Sequence, residues 1–216
     1  MRLAFKTFIR NALKNKFPKS DMNDLERLFK IKSCGSRDIT LKIFSQALNE
    51  WKQGKTKEFP LLLVDSEGPV QKGVGPWAHL KTRDGWGCPA GAVDDHAHLM
   101  AQCMETWFLA DVTALEIYFG RNFDVKSLPK TVPLEEAAKE DVATGLDRAA
   151  AGTPKKGYNK GRDSFTILER VDPLKVQAKA PWACRLFKTL DDKLARNQTT
   201  TSARTEESIR SCKAAP

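Results

Sequence analysis

The chain has 216 residues, of which 41% are hydrophobic and 29% are charged, a composition typical of a globular protein with a substantial core. The formal net charge is +9, and the residues after Ala195 hold only four basic and two acidic side chains, so most of the excess lies in the preceding residues. This basicity favours polyanionic partners such as nucleic acid, and the lack of any apolar stretch near the roughly 20 residues of a membrane helix argues against a membrane protein.

The first part of the chain alternates helices with strands. The sequence predicts a helix over residues 2–17, a short strand over 28–36, a second helix over 36–54 and a buried strand over 60–65. This order is typical of an α/β protein with a mostly parallel sheet flanked by helices. Such a sheet usually opens with a strand, whereas this chain opens with a helix.

The remainder is predicted to be largely helical. Residues 68–95 are rich in Gly, Pro, Trp and charge, which indicates a long functional loop or lid. An apolar strand is expected at 97–103, and helices are expected at 112–119, 133–151, 163–170 and 181–194. We therefore predict an α/β core over residues 1–132, a helical C-terminal part over 133–194 packed on it, and a disordered tail over 195–216.

Two acids end the predicted strand in LLLVDSEGPV, residues 61–70. Asp65 and Glu67 would lie on one face of this strand, because alternate strand residues do. Open α/β sheets place their sites at the carboxyl ends of strands, and paired carboxylates select hard cations, so we predict bound Mg²⁺ or Mn²⁺ here. The alternative is that both acids serve a solvated turn.

A second pair of acids, Glu105 and Asp111, flanks the apolar segment TWFLA. Acids so close to a Trp-Phe-Leu run are either buried with partners or line a site. Glu105 is predicted to assist the metal site or to orient water. Asp111 has the alternative of serving as the N-cap of the helix at 112–119.

A basic segment, GTPKKGYNKGRDSF, covers residues 152–165. Basic side chains around an aromatic ring are a common arrangement for binding a nucleic-acid backbone, and the glycines allow a phosphate to approach closely. A solvated connection between helices is the alternative. The predicted nucleic-acid-binding residues are Lys155, Lys156, Tyr158, Lys160 and Arg162.

Several segments together resemble a bacterial family catalogued as domain of unknown function 4276, which is grouped with Toprim-like folds. They include LLLVDSEGPV, PWAHLKTRDGW, HLMAQCMETWFLAD and KKGYNKGRDSFTILERVDP, and the likeness extends from the first helix to about residue 194. The resemblance implies a Toprim-like sheet and metal-dependent cleavage of phosphodiester bonds. It also suggests a separate ATPase partner and a role in defence against phage.

On this resemblance, Asp65 and Glu67 occupy the place of an Asp-x-Asp metal pair, and Glu105 and Asp111 match acids of the family's own ME-WFLAD segment. The implied catalytic residues are Asp65, Glu67 and Glu105, and the implied metal ligands are Asp65, Glu67 and Asp111. Relatives usually begin with a strand that ends in a Val-Glu-Gly type motif, and this chain lacks it. We expect a start codon assigned too far downstream rather than a true loss.

Two functional interpretations follow from these residues. The first is a Mg²⁺-dependent nuclease that holds the nucleic-acid backbone through its basic segment. The second is a catalytically degenerate module that binds nucleic acid or a protein partner. Five cysteines, odd in number and without a CxxC pair, indicate reduced thiols and predict a cytoplasmic location for either one.

Overall fold

A computed structural model describes residues 2–14, 29–130 and 133–195 of the chain. The regular elements, in chain order, are α1 (Arg2–Lys14), α2 (Arg37–Lys52), β1 (Leu62–Asp65), α3 (Pro76–Asp84), β2 (Ala97–Met100), α4 (Val112–Phe119), α5 (Lys139–Ala150), α6 (Lys160–Leu168), α7 (Pro173–Lys179) and α8 (181–195). Short 3₁₀ turns cover Asp94–His96, Met104–Ala110, Val125–Ser127 and Leu134–Glu136. No helix in these ranges is long and apolar enough to cross a bilayer.

The sheet consists of β1 and β2, which run parallel with Leu62 opposite Ala97 and Asp65 opposite Met100. Two further backbone hydrogen bonds extend the pairing beyond β1, from Ser66 N to Met100 O at 3.0 Å and from Glu67 N to Gln102 O at 2.8 Å. The prediction of an α/β chain with parallel strands is confirmed. Within the described residues, however, the sheet has two strands and helices dominate.

Helices cover both faces of this small sheet. Leu62 and Val64 pack with α2 and α3 in a cluster that also contains Leu99. Leu61 and Leu63 point to the opposite face, as alternate strand residues do, and pack against the larger cluster built around α1, α8 and the turn Met104–Ala110. The largest fully buried side chains of that second cluster are Trp107, Phe8, Phe108, Phe119 and Phe187.

The C-terminal helices are tied to the sheet by polar contacts. Glu135 accepts a hydrogen bond from Trp182 N at 2.9 Å, so its carboxylate caps the first turn of α8. Arg185, one turn further along α8, donates to Ala97 O at 2.8 Å and to His98 Nδ1 at 3.0 Å on β2. These contacts fix α8 against β2, the strand that follows residues 68–95.

Two sequence-based predictions need correction in the N-terminal half. The strand expected at 28–36 does not form over residues 29–35, which line a cavity beside β1 instead of joining a ladder. The region 68–95 is not one long loop, because α3 lies within it, with Pro76 at the start and the left-handed Gly85 after its last residue. Part of the first predicted helix, residues 15–17, lies outside the described residues.

In the C-terminal half the helix predicted at 112–119 is confirmed as α4. The helix predicted at 133–151 begins only at Lys139, because the turn Leu134–Glu136 precedes it. The helix predicted at 163–170 begins at Lys160, where Asn159 accepts a hydrogen bond from Arg162 N. Helix α7 was missed, although Asp172 before Pro173 is a normal helix start. The predicted tail beyond Ala195 lies outside the described residues.

Candidate functional site

Asp65 lies at the carboxyl end of β1, and two neighbours fix its position. Met104 N donates to Asp65 Oδ1 at 2.9 Å, and Arg37 Nη1 donates to the Asp65 carbonyl oxygen at 2.7 Å. Burial, reinforced by the charge of Glu105, raises the pKa of Asp65 to about 6. The Asp65 carboxyl group can therefore exchange a proton close to neutral pH.

Glu105 follows Met104 on the 3₁₀ turn and is almost completely buried, with 3% of the residue exposed. The Tyr158 hydroxyl donates to Glu105 Oε1 at 3.1 Å, and Lys160 Nζ lies 3.2 Å from the same oxygen. Burial and the neighbouring Glu105 charge raise the pKa of the Tyr158 phenol, so this hydroxyl keeps its proton. We refer to Asp65, Glu105, Tyr158 and Lys160 as the Asp65 cluster.

Lys160 supplies the positive charge of the Asp65 cluster. Burial lowers the pKa of its ammonium, but attraction to Glu105 and Asp65 outweighs burial and raises it overall. Its side chain is 62% exposed, whereas that of Glu105 is 4% exposed. The lysine therefore connects the buried Glu105 and the partly buried Asp65 with the solvent.

Glu67 has a different set of partners. Its backbone adopts the left-handed conformation, with φ of 61°, and its carboxylate pairs with Lys139 at the start of α5. Burial raises its pKa, but the hydrogen bond and charge of Lys139, with Arg83 and Arg37, lower it overall. Glu67 is thus an ionised acid that is already paired with a cation of the chain.

Asp111 is tied to α7 rather than to the other three acids. Asp172 N donates to Asp111 Oδ2 at 3.0 Å, and Lys175 Nζ lies 2.6 Å from Oδ1. Burial raises the pKa of Asp111, but these two donors lower it overall. Asp111 occupies the N-cap position of α4, as the alternative interpretation had it, although its side chain makes no capping hydrogen bond there.

The five predicted nucleic-acid-binding residues of the basic segment do not all lie at one site. Tyr158 and Lys160 contact Glu105, whereas Lys155 Nζ lies 4.3 Å from the centroid of the Tyr118 ring. Arg162 pairs with the buried Asp163 at 2.6 Å. Lys156 is exposed in a left-handed turn, with φ of 57°. Two of the five predicted residues thus join the acids, and the other three lie along the segment.

Arg37 and Lys139 contact the site but were not predicted from the sequence. Arg37 binds the Asp65 carbonyl, forms an ion pair with Asp84 at 2.5 Å and stacks 5.0 Å above Trp86. Lys139 reaches Glu67 from a helix that begins 72 residues later in the chain. A motif near the acids could not have identified either residue, because tertiary packing alone brings them there.

A cavity of about 970 Å³ extends from the Asp65 cluster along β1. All four residues of β1, Leu62 to Asp65, and the preceding Leu61 border it. Because alternate residues point to opposite faces, such a run shows that the strand's edge borders the cavity. Residues of α1 and α8 line one side and residues of α2 line the other, so the cavity lies in the layer of the sheet between the covering helices.

The acids as arranged do not fit a divalent cation. Among the described residues there is no group of three or more His, Cys, Asp or Glu side chains that could hold a metal ion. Asp65 accepts from Met104 N, Glu67 pairs with Lys139, and Glu105 is bound by Tyr158 and Lys160. A Mg²⁺ ion needs several oxygen ligands, so it would have to displace at least one of these donors.

Comparison with known proteins identifies a family. No curated protein and no solved structure matches the chain. One family model, described as Domain of unknown function (DUF4276), matches residues 4–191, which include β1, β2, the Asp65 cluster and most of α8. The chain belongs to this DUF4276 family.

Proposed function

We propose that the chain binds nucleic acid and cleaves phosphodiester bonds at the Asp65 cluster. The observation that carries this proposal is the meeting of the buried Glu105, the partly buried Asp65 and an exposed lysine at the carboxyl end of a parallel strand. Sites in open α/β proteins lie at such strand ends, and acids with raised pKa values are frequent among catalytic groups.

In this proposal the residues of the site have separate roles in phosphate binding and proton transfer. A backbone phosphate binds near Lys160 and Arg37, whose charges compensate the phosphoryl oxygens. Asp65, with a pKa of about 6, is mostly ionised at neutral pH and accepts the proton of an attacking water molecule. Lys155, Lys156 and Arg162 would hold the flanking backbone.

Mg²⁺ or Mn²⁺ belongs to the proposal through the Toprim resemblance, with Asp65, Glu67, Glu105 and Asp111 as the acids named above. Because the described arrangement does not fit such an ion, we assign no step of the reaction to it. A role in phage defence beside an ATPase, in the cytoplasm, is likewise proposed on the resemblance alone.

We also propose that an extended apolar segment can occupy the cavity and pair with β1 as a further strand. Three features support it: within the described part of the chain β1 pairs with one strand only, helices lie on both sides of the cavity, and the cavity lining is largely apolar. A strand buried on both faces is a nearly continuous apolar run, which this cavity would accept.

The proposed activity is tested by incubating plasmid, single-stranded DNA and RNA with the protein in Mg²⁺ or Mn²⁺. The parent is compared with the Asp65→Ala, Glu67→Ala double variant and with Glu140→Gln, which removes an exposed carboxylate from α5. Cleavage by the parent and by Glu140→Gln, but not by the double variant, is the expected result. Equal cleavage by all three proteins would contradict the proposal.

A second candidate function is a catalytically degenerate binding module. It is favoured by one observation, that Glu67, Glu105 and Asp111 are each paired with a lysine of the chain itself. A domain of this kind would bind nucleic acid or a protein without cleaving it. Nucleic-acid binding that is equal in the parent and the double variant, with no cleavage by either, would identify this function.

A further inference from the structure

We propose that α1 is a nucleic-acid-binding helix that follows the phosphate backbone of a double-stranded substrate. Four of its 13 residues are basic and none is acidic. The inference rests on the proposed function and deepens it, because it names a binding surface and the class of nucleic acid that this surface fits. The four basic residues recur at every fourth position, and we refer to them as the α1 stripe: Arg2, Lys6, Arg10 and Lys14.

The α1 stripe lies on the side of the helix that faces away from the core. Residues four apart on an α-helix are rotated by only about 40°, so the four basic positions share an arc of about 120°. Arg2 and Lys14 are exposed, and Lys6 and Arg10 are half-buried. The rest of the helix circumference supplies the buried residues Ala4, Phe8, Ile9, Ala12 and Leu13.

The spacing of the α1 stripe suits a row of phosphates. A helix rises by about 1.5 Å per residue, so neighbouring stripe residues are about 6 Å apart along the axis and the stripe spans about 18 Å. One strand of a duplex carries a phosphate about every 3.4 Å along the duplex axis, so this span covers roughly five phosphates. The stripe can therefore contact several phosphates of one strand at once.

The charge pattern of the α1 stripe opposes the stability of the helix itself. Like charges four residues apart repel each other on a helix, and the stripe contains three such pairs in succession. Arg2 also lies in the first turn, where the helix dipole favours acids. Within the described part of the chain, Arg2, Arg10 and Lys14 form no ion pair that would offset this repulsion. The phosphates of a bound polyanion would supply the negative charge.

The α1 stripe begins close to the candidate site. Arg2 borders the same cavity as Asp65 and Lys160. Helix α1 also packs on α6, whose first turn carries Lys160 and Arg162. A backbone held at the Arg2 end of α1 is therefore near both the basic segment and the acids proposed for cleavage.

The α1 stripe fits a duplex better than a single strand. Proteins that bind single strands stack the bases on aromatic side chains beside a basic groove. The aromatic residues of α1 are Phe5 and Phe8, and both pack in or against the core. A contact limited to phosphates needs no unpaired bases and carries no sequence information. We therefore expect duplex binding that does not depend on base sequence.

A membrane surface is the other polyanion that a basic helix can meet, and the packing of α1 disfavours it. Helices that lie in a membrane interface insert their apolar face into the lipid. The apolar face of α1 is buried in the core, and within Arg2–Lys14 the exposed large apolar side chain is Leu3. A single leucine gives little surface for insertion, so α1 is better suited to the phosphates of nucleic acid.

The inference is tested by measuring how the full chain binds a short labelled duplex DNA, using fluorescence anisotropy at several salt concentrations. The stripe variant is Arg2→Gln, Arg10→Gln, Lys14→Gln, and Lys6 is left unchanged because it takes part in another interaction. Removal of three phosphate contacts should weaken binding and reduce the slope of log K against log salt by about 2 to 3. Glutamine is a good helix former and relieves the repulsion, so α1 should remain folded.

Two control variants accompany the stripe variant. Lys42→Gln, Lys55→Gln, Lys81→Gln removes the same number of charges from exposed positions on α2, after α2 and on α3, the helices that cover the other face of the sheet. It should keep the slope of the parent. A charge-preserving variant, in which lysine replaces both arginines of the stripe and arginine replaces Lys14, should also keep it. Thermal unfolding followed by circular dichroism checks that every variant is folded.

The outcomes separate this inference from the proposed function. Equal slopes in the stripe variant and the parent would overturn the inference and leave the proposed function standing. No duplex binding by the parent would overturn the inference together with the nucleic-acid binding in the proposed function. An equal loss of slope in the lysine control would show that net charge alone is responsible, and would also overturn the inference.

Two further ligands test the choice of partner. A single strand of the same sequence should bind the parent more weakly than the duplex, and tighter binding of the single strand would overturn the assignment to a duplex. Vesicles of phosphatidylcholine and phosphatidylserine should bind the parent and the stripe variant alike. A stripe variant that loses vesicle binding but keeps the duplex binding of the parent would identify a membrane surface as the partner and overturn the inference.

Discussion

Lys139, the first residue of α5, forms an ion pair with Glu67, two residues beyond the end of β1. This contact joins the C-terminal helical part of the chain to the strand end at which the acids lie. The same helical part supplies Tyr158 and Lys160 to Glu105. Both acids that flank Asp65 are therefore neutralised by residues that follow the sheet in sequence.

Replacing Lys139 tests the strength of this link. In Lys139→Gln, the pKa of Glu67 should rise, because burial remains and the lysine is lost. The variant should lose about 0.5–1 kcal/mol of stability at pH 7, as expected for a partly screened ion pair. Because the pairing lowers the folded-state pKa of Glu67, its contribution is present at neutral pH and disappears as the pH falls below about 4. Urea unfolding of both proteins at pH 7 and pH 3.5 measures the difference, and an equal loss at both values would contradict the prediction.

Asp65→Asn should give the opposite pH dependence. The folded-state pKa of Asp65 is raised to about 6, so the folded protein holds more protons than the unfolded chain between pH 4 and pH 6. Asp65 therefore costs stability progressively as the pH rises through this window. At pH 8 the variant should be more stable than the parent by roughly 1–3 kcal/mol, since one pKa unit corresponds to about 1.4 kcal/mol, and the gain should vanish near pH 4.

The asparagine keeps an oxygen that can accept from Met104 N, so the comparison isolates the charge. Urea midpoints measured at pH 4, 6 and 8 give the profile directly. A variant that is less stable than the parent at pH 8 would show that Asp65 is held ionised by a cation, and would refute the expectation.

Asp111→Ala should destabilise the protein even when no metal ion is present. The substitution leaves Asp172 N and the Lys175 ammonium without their acceptor, which typically costs about 1–3 kcal/mol. Lys175→Met removes only the exposed partner and should cost less. Thermal unfolding in EDTA measures both variants. Mn²⁺ titration of Asp111→Ala then decides whether Asp111 is also a metal ligand, because a ligand would lower the affinity and a purely structural acid would leave it unchanged.

Two substitutions of Glu135, by alanine and by glutamine, test its role as the cap of α8. Glu135→Ala removes the acceptor of Trp182 N and should cost about 1–2 kcal/mol, as lost helix caps do, whereas Glu135→Gln keeps an acceptor. Burial raises the pKa of Glu135 to about 7, so the ionised carboxylate costs stability as the pH rises from about 4.5 through 7. Glu135→Gln should therefore be the more stable of the two at every pH, and it should exceed the parent at pH 8. Circular dichroism melts at pH 5 and pH 8 provide the measurement.

Lys156 and Arg162 of the basic segment should differ in their effect on nucleic-acid binding. Lys156 is exposed, and its substitution by alanine should weaken binding and reduce the salt slope of log K by about 1. Arg162→Ala should have a smaller effect, because its guanidinium is already paired with Asp163. Fluorescence anisotropy with one labelled oligonucleotide at several salt concentrations measures both. Equal slopes in Lys156→Ala and the parent would contradict a phosphate contact by Lys156.

The fold could be predicted from the sequence where hydrophobic periodicity was strong. Helix α4 and the end of β1 at Asp65 agree with expectation, because apolar spacing and turn residues fix both locally. Helix α3 was hidden in a region of Gly, Pro and Trp, since its start and stop depend on Pro76 and on a left-handed Gly85. The sequence of residues 28–36 is typical of a strand, but a strand also needs a neighbouring strand with which to form hydrogen bonds. The local sequence does not specify that neighbouring strand.

The candidate site, like the fold, could be predicted from the sequence only in part. Asp65 and Glu105 were singled out because acids next to buried apolar runs are unusual, and the structure brings these two together. The cations that neutralise Glu67 and Asp111 come from α5 and α7, and no spacing along the chain indicates which lysine meets which acid. Charge pairing over such separations is decided by tertiary packing rather than by local pattern.

The backbone of Glu67 has a consequence for directed evolution. A non-glycine residue with φ of 61° carries a conformational cost that glycine or asparagine would avoid. A library selected for thermal stability below about pH 4, where the pair with Lys139 no longer contributes, would therefore gain by replacing the acid at position 67, whereas a library selected for nucleic-acid cleavage should retain it if the carboxylate works in the reaction. The two selections are therefore expected to favour different residues at position 67. Sequencing the surviving variants would show whether the Glu67 carboxylate is needed for cleavage, without purification of any variant.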